Sequence, residues 1–356
     1  MKQILQTILL ATGTLFLTIL LIMFPEQVFD SSMRGLNIWW KIVFPSLLPF
    51  FIMSELLIGF GVVKFIGVML EPIMRPLFNV PGAGSFAWVM GMASGYPSGA
   101  KITSRLREEK HLTQLEAERL VSFTNNASPL FILGAVSIGI FNDAKLGMLL
   151  AICHYGGNAL VGLCMRFHGN TKEKPNKLAR RKKVSLSRAF REMHQTRIKD
   201  TRPIGKILGD SVINSIQTLM MVGGFIILFS VLSRLLFLTG ITSNIDVLFK
   251  VILQSLSLPA EFSVPLIAGL FEITLGSQHI ADIGNISMFH IAIIISFILG
   301  FNGFSVQAQV SSIIAKTDIR FAPYFISRIL HGLIGSILAV FLFKPIYTSR
   351  QTIEDV

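Results

Sequence analysis

The sequence predicts an all-α polytopic membrane protein: two inverted repeats, with about seven transmembrane helices plus two re-entrant hairpins. Three observations predict it. The 356 residues are 52% hydrophobic and only 15% charged, against roughly 25% charged in a soluble domain, and the mean hydropathy is +0.64. Apolar runs of bilayer-crossing length recur along the chain. Their order in the first half returns in the second. This composition excludes an ordinary cytosolic enzyme, a disordered chain and a secreted disulfide scaffold. The two cysteines, Cys153 and Cys164, both fall in apolar runs and signal no metal or disulfide framework.

Residues 3–24 are apolar for longer than the roughly 7–15 residues of a signal-peptide core and read as a retained first helix. The run 36–60 opens on Trp39, Trp40 and Lys41, residue types that anchor a helix at the membrane interface. Residues 61–79 mix charges and prolines and read as a helix lying at that interface. The segment 83–104 is apolar and then broken by Ser94-Gly-Tyr-Pro-Ser-Gly99, which predicts a re-entrant hairpin. Backbone freed by Gly and Pro at membrane depth must be satisfied by protein or by a wet cavity. A run over 113–141 is interrupted at 124–129, and a clean span covers 146–166. After a long loop the same plan recurs: a span at 212–238, a weakly apolar stretch with Asp246 and Lys250, a hairpin over 262–280 interrupted at 272–278, a span over 288–316 interrupted at 301–305, and a last span at 322–343.

The net charge of +12 is local. Residues 166–206 hold 14 Lys/Arg against Glu173, Glu192 and Asp200, so nearly all the excess lies in one loop. A basic block between apolar halves reads as a cytoplasmic loop near anionic headgroups, not as a nucleic-acid surface. With that loop inside, Lys64, Arg75, Arg105, Arg107, Lys110, Lys316 and Arg320 also fall inside, and the connections left outside are poor in Lys and Arg. The chain divides into a first helix and its connection (1–35), a first repeat (36–166), the basic cytoplasmic loop (167–206), a second, inverted repeat (207–343) and a C-terminal tail (344–356). An offset of 177 residues superposes Asn125 on Asn302, Ser128 on Ser305 and His154 on His331.

In an inverted-repeat fold, ligands bind where helices are broken near the midplane. The candidates for binding solute or ion are therefore Ser94, Ser98, Asn125, Asn126 and Ser128 in the first half. In the second they are Glu272, Thr274, Ser277, Gln278, Asn302 and Ser305, with Gln307 and Gln309 nearby. Polar groups in lipid are costly, so they should face the interior. Glu272 is the most telling, a carboxylate at a membrane-depth break. The competing reading is that these groups only cap broken helices. His154 and His331 read as interhelical hydrogen-bond partners before proton relays. Glu55 is expected either to pair internally or to reach the interface, and Lys101 to reach water. Enzyme signatures (HExxH, a P-loop, GxSxG, Rossmann glycines) are absent from the sequence, and no enzyme, metal or resident cofactor is expected.

The segments 44–62 (FPSLLPFFIMSELLIGFGV), 91–101 (GMASGYPSGAK), 122–141 (SFTNNASPLFILGAVSIGIF) and 297–310 (FILGFNGFSVQAQV) resemble the YlbJ family of sporulation integral membrane proteins, part of the nucleoside-recognition or Gate domain group. The resemblance covers nearly the whole chain. It implies a role in endospore and spore cortex formation, and a place in the cell membrane of a sporulating bacterium, either mother-cell or forespore. Gate domains also resemble the core of concentrative nucleoside transporters, whose hairpin tips and unwound helices bind nucleoside and sodium. The resemblance maps those positions to 94–99, 124–129, 272–278 and 301–305. The function expected is transport of a small polar or nucleoside-like solute, with Na+ or H+ as a coupling ion. The alternative is a non-transporting scaffold that recruits sporulation membrane proteins through the basic loop.

Overall fold

The computed structural model describes residues 2–169, 185–284 and 286–348, and every regular element among them is helical. Most of the basic loop (170–184) and of the C-terminal tail (349–356) lies outside the described residues. Helix α1 (Lys2–Met23) is the expected first span. Residues 25–35, expected as a connection, are helical: α2 (Pro25–Ile38) starts on a proline, whose missing N–H costs nothing in a first turn. It bends 101° from α1 and runs through a π-helical turn into α3 (Phe44–Gly59). Trp39, expected as an interfacial anchor, is turned into the protein. It is buried, and its indole N–H donates to the Leu219 carbonyl at 2.9 Å, whereas Trp40 is exposed.

Helix α4 (Val62–Phe78) turns 91° from α3 and ends on left-handed Asn79. The first hairpin pairs α5 (Ala83–Ser94) with α6 (Ser98–Glu108), separated by Gly95 at φ +81°, Tyr96 and Pro97. Helix α7 (Gln114–Thr124) opens with a capping box, in which the Thr113 hydroxyl accepts from the Glu116 N–H and the Glu116 carboxylate from the Thr113 N–H. It ends in the extended Asn125, and a π-helical segment, Leu130–Ile140, resumes the path. Helix α8 (Ala144–Met165) starts where the Asp143 carboxylate accepts from the Leu146 N–H.

In the second half, α9 (Leu186–Lys199) packs on α4, with Phe65 and Phe190 rings 5.0 Å apart. Helix α10 (Ile204–Leu238) is one 35-residue helix, longer than the 212–238 run. Helix α11 (Ile241–Ser255) carries the Asp246–Lys250 pair at 2.7 Å. The second hairpin is α12 (Ser263–Phe271) and α13 (Ile273–Asp282). Its arms meet so closely that a Cβ on Gly276 would lie 2.2 Å from the Gly269 Cα. Helices α14 (Met288–Phe301) and α15 (Gly303–Ile314) are divided by left-handed Asn302, and α16 (Phe321–Leu342) closes the fold.

Helices α8, α14 and α16 pack together at the centre, and α10 packs against α2 and α3. Among the described residues four helical stretches are long and apolar enough to cross a membrane, α14 and α15 counting together as one, and six if each of two bent pairs is one span. The expectation was about seven. The shortfall has a physical cause at 114–140, where the break leaves two arms too short to cross alone. Each half nevertheless presents the same succession: an interrupted hairpin, a broken helix and a continuous helix.

Candidate functional site

The first break is held by side chains of α8 and α16. Ending α7 at Thr124 frees the carbonyls of its last turn. The Ser122 carbonyl accepts from the Arg328 guanidinium, and from the Ser327 hydroxyl at 3.2 Å. The Asn125 carbonyl accepts from Arg328 Nη1 at 3.2 Å and from the Asn302 amide at 3.3 Å. The Asn158 amide donates to the Phe123 carbonyl, as does the Asn126 amide at 3.3 Å. His154 Nε2 accepts from the Ala127 N–H at 3.0 Å, and the Asn125 amide reaches the Tyr324 hydroxyl at 2.9 Å.

His331 Nε2 lies 2.8 Å from the His154 carbonyl, so it carries the proton, and Nδ1 accepts from Arg328 at 3.1 Å. Both histidines thus act as interhelical hydrogen-bond partners, as their residue type suggests.

Arg328 was missed by the sequence reasoning. It is fully buried, lies 5.4 Å from the Tyr324 ring centroid, and has no carboxylate within ion-pair distance among the described residues. The signal was available, since an arginine inside the apolar run 321–342 is a costly placement that demands a partner.

The second half is arranged differently. Glu272 is the single extended residue between α12 and α13, and is 5% exposed. Its carboxylate accepts from the Leu275 N–H at 2.8 Å and the Thr274 hydroxyl at 3.3 Å. It therefore caps α13, as the competing reading holds, and among the described residues it has no basic partner. It also lines a cavity of about 50 Å³.

Around that cavity the tip of the first hairpin (Gly95, Tyr96) and the end of the first break (Ser128) meet Glu272, Thr274, Ser305 and Gln309 of the second half. Val43, Leu47, Val222 and Ile226 of α3, its preceding turn and α10 form the apolar wall. Among the described residues, several buried oxygens at the two breaks have no hydrogen-bond partner: Oδ1 of Asn125, Asn126 and Asn302, Ser305 Oγ, and Oε1 of Gln307 and Gln309.

The structure thus gathers Ser128, Glu272, Thr274 and Ser305 of the predicted residues at one cavity. Asn125 and Asn302 meet at the break behind it, and Asn126 is buried beside them. Ser94 and Ser98 are buried on either side of the first hairpin's tip, off the cavity lining. Two positions turn out otherwise because the second break is one residue long, not seven, so α13 is already helical beyond Glu272. Ser277 bonds back to the Ile273 carbonyl at 2.8 Å, and Gln278 is exposed and bonded to Asp282 at 3.1 Å. Lys101 does not simply reach water. It pairs with Glu55 at 2.7 Å, which settles the alternatives for Glu55 in favour of an internal partner.

A family model described as "Gate: Nucleoside recognition" matches residues 40–143, from the turn before α3 to the start of α8. The sporulation integral membrane protein YlbJ of Bacillus subtilis (strain 168) is 53% identical over 347 residues, 97% of this chain and 84% of that protein. The chain belongs to the YlbJ family of sporulation integral membrane proteins. An uncharacterised protein of Alkalihalophilus pseudofirmus is 31% identical over 132 residues, 36% of this chain and 28% of that protein. No solved structure matches. Membership in the YlbJ family and the long apolar helices make this a multi-pass membrane protein. The Gate match spans the first hairpin and first break, the segments that carry the first-half contribution to the cavity.

Proposed function

We propose that this YlbJ-family protein transports a small polar, nucleoside-like solute across a membrane of the sporulating cell, in support of spore cortex formation. One observation carries the reading: the hairpin tips and helix breaks of both halves converge on one buried cavity whose polar lining is acceptor-rich and incompletely bonded. Buried acceptors without donors are costly, and a hydroxyl-rich ligand supplies what they lack. At about 50 Å³ the cavity admits only a small ion or a water-sized group. A nucleoside requires the hairpin tips to part from the α3–α10 wall, the motion an alternating-access protein makes. The two halves are proposed to be inverted repeats. The contact of Asn125 with Asn302 and of His154 with His331, both 177 residues apart, supports this, because equivalent residues touch beside the axis relating two like units.

Uptake of radiolabelled uridine and adenosine into liposomes holding the purified full chain tests the activity. Uptake abolished by Ser305→Ala supports it, and no uptake or counterflow of either solute refutes a nucleoside. Single Ser187→Cys and Asn244→Cys variants label from opposite sides if the repeats are inverted. The scaffold reading predicts instead that replacing 172–199 by a neutral linker abolishes sporulation while Ser305→Ala leaves it intact.

A further inference from the structure

We infer that α9 lies in the plane of the membrane with its outer face on anionic lipid, so that the bilayer holds one wall of the polar cavity of about 390 Å³ behind it. The helix, Leu186–Lys199, has three sides. One is taken by protein. Ala189 is buried, the Phe190 ring lies 5.0 Å from that of Phe65, and a Cβ on Gly61 of the α3–α4 turn would lie 2.6 Å from the Met193 carbonyl oxygen and 2.9 Å from the Thr196 Cβ. The second side is apolar and open. Leu186, Phe190 and Ile198 are 56%, 51% and 63% exposed. At about 100° per residue they share a sector of about 120°, with exposed His194 between them. The third side is polar and carries Arg188, Arg191, Gln195 and Lys199.

Lipid is what the open side meets. Only residues 200–203 separate α9 from α10, which at 1.5 Å per residue is about 52 Å long against a hydrocarbon core of about 30 Å. The first turns of α10, with Lys206 and Asp210, therefore reach the headgroups and set α9 beside them. A helix with cations on its polar side and Leu and Phe on the other sinks its apolar side into the headgroup–acyl boundary. The charge is complementary to anionic lipid, since α9 holds Arg188, Arg191, Arg197 and Lys199 against Glu192 alone. A protein partner fits less well, because three side chains on a convex helix supply far less than the about 800 Å² per partner of a specific interface. The cavity depends on the same helix. Thr196, Lys199 and Asp200 line it opposite Glu55 of α3, Arg105 of α6 and Ser211 of α10. Arg202 ties Asp200 to Asp210 of α10, each at 2.7 Å. Beyond that clasp and its packing on α4, lipid is what remains to hold α9 over the cavity. The inference stands apart from the transport reading, since neither docking nor cover requires a solute.

The test uses the purified full chain with Cys164→Ser and buried Cys153 retained, in nanodiscs of phosphatidylcholine with or without phosphatidylglycerol. A nitroxide on His194→Cys reads depth by its accessibility to oxygen against a water-soluble nickel complex. One on Gln195→Cys, on the polar side, is the reference. With phosphatidylglycerol the label at 194 is expected to favour oxygen and the label at 195 the nickel complex. Without it the ratio of docked to free α9 falls about fivefold for each cation that touches the surface. Phe190→Ser with Ile198→Ser makes the two labels alike. Ser211→Cys, buried in the cavity wall, reacts severalfold faster with a water-soluble thiol reagent wherever α9 is free. The lipid comparison leaves Leu186, Phe190 and Ile198 in place and decides alone if the double variant does not fold. Equal depths at 194 and 195 with phosphatidylglycerol, or the same docked fraction without it, overturns the inference. A label at 194 that is aqueous in the discs but buried in native membrane vesicles gives the face to a protein partner and overturns it too. Unchanged Ser211→Cys reactivity when α9 leaves the lipid refutes the bilayer's part in the cavity wall.

Discussion

Replacing Glu55 by Gln probes how the first hairpin is held against the α3–α10 wall. Lys101 on α6 donates to the Glu55 carboxylate on α3 at 2.7 Å and to the Thr218 hydroxyl on α10 at 3.2 Å. On one side of this bridge lies a polar cavity of about 390 Å³ lined by Glu55, Lys64, Arg105, Arg202, Asp210 and Asn214. On the other lies the small cavity with Val222 in its wall. Thr218 is midway between Asn214 and Val222 on α10, about 6 Å from each at 1.5 Å per residue. The bridge therefore spans the partition between the two cavities.

Its strength follows from its surroundings. The Glu55 side chain is 14% exposed and that of Lys101 39% exposed, so the pair lies between a surface pair worth about 0–1 kcal/mol and a buried one costing about 3–5 kcal/mol to break. A coupling of about 1.4 kcal/mol is a reasonable centre and equals about tenfold in an equilibrium constant. Glu55→Gln keeps an acceptor for Lys101 and removes the charge. If the bridge exists only while the hairpin is closed on the wall, the open population rises about tenfold. The assay is labelling of Val222→Cys by a membrane-impermeant thiol reagent in inside-out vesicles, with exposed Cys164 replaced by Ser and buried Cys153 retained. Labelling about ten times faster in Glu55→Gln, and slow again in the exchange Glu55→Lys with Lys101→Glu, is expected. Unchanged labelling in Glu55→Gln, or no recovery in the exchange, refutes the reasoning.

Three further outcomes are expected. Gly91→Ala and Gly99→Ala each put a Cβ within 1.7 or 1.9 Å of the Thr124 carbonyl oxygen; backbone cannot give way like a side chain, so each costs about 3 kcal/mol or more, seen as loss of the cooperative melt, while Gly13→Ala, with nothing within 4 Å, leaves it unchanged. Trp39→Phe loses the bond to Leu219 and costs about 1 kcal/mol in a thermal melt, whereas exposed Trp40→Phe is near neutral. Arg202 holds the Asp200 carboxyl at about 2, below its ordinary 3.8; because the folded value is depressed, the stabilisation is complete above about pH 4 and fades as pH falls toward 2, and Asp200→Asn flattens that limb of a melting-temperature profile.

Much of this architecture was legible because membrane helices announce themselves by uninterrupted apolarity and their breaks by Gly, Pro and Asn. The boundaries of α8 and α16 fall within two residues of the expected ones. The interruptions at Gly95 and Asn125 lie inside the expected windows. The extent of a break was not legible. Thr274, Ser277 and Gln278 look like loop residues in sequence, yet the Glu272 carboxylate caps the Leu275 N–H and restarts the helix at once. Pairing was equally hidden. Trp39 read as an interfacial anchor because the carbonyl it seeks, on Leu219, lies 180 residues away. Lys101 and Glu55 are 46 residues apart, and neither carries any mark of the other.

The same distance between sequence and packing explains why the two halves of the site differ. On the proposed repeat, the counterpart of Arg328 is Ala151, and that of Glu272 is Ser94 at the offset of 178 that superposes Gly91 on Gly269. The two charged side chains at the breaks thus both belong to the second half, and each faces a small neutral residue's position in the first. Of the paired positions that are alike, Asn125 with Asn302 and His154 with His331 are in contact with each other, where a change on one side alters the partner as well. Arg328 is near enough to the first break to satisfy its carbonyls, and Glu272 lines the cavity. A symmetric core has two equivalent breaks and no reason to bind at one before the other. With a guanidinium held on the freed carbonyls of one break and a carboxylate capping the helix at the other, the two breaks differ in chemistry.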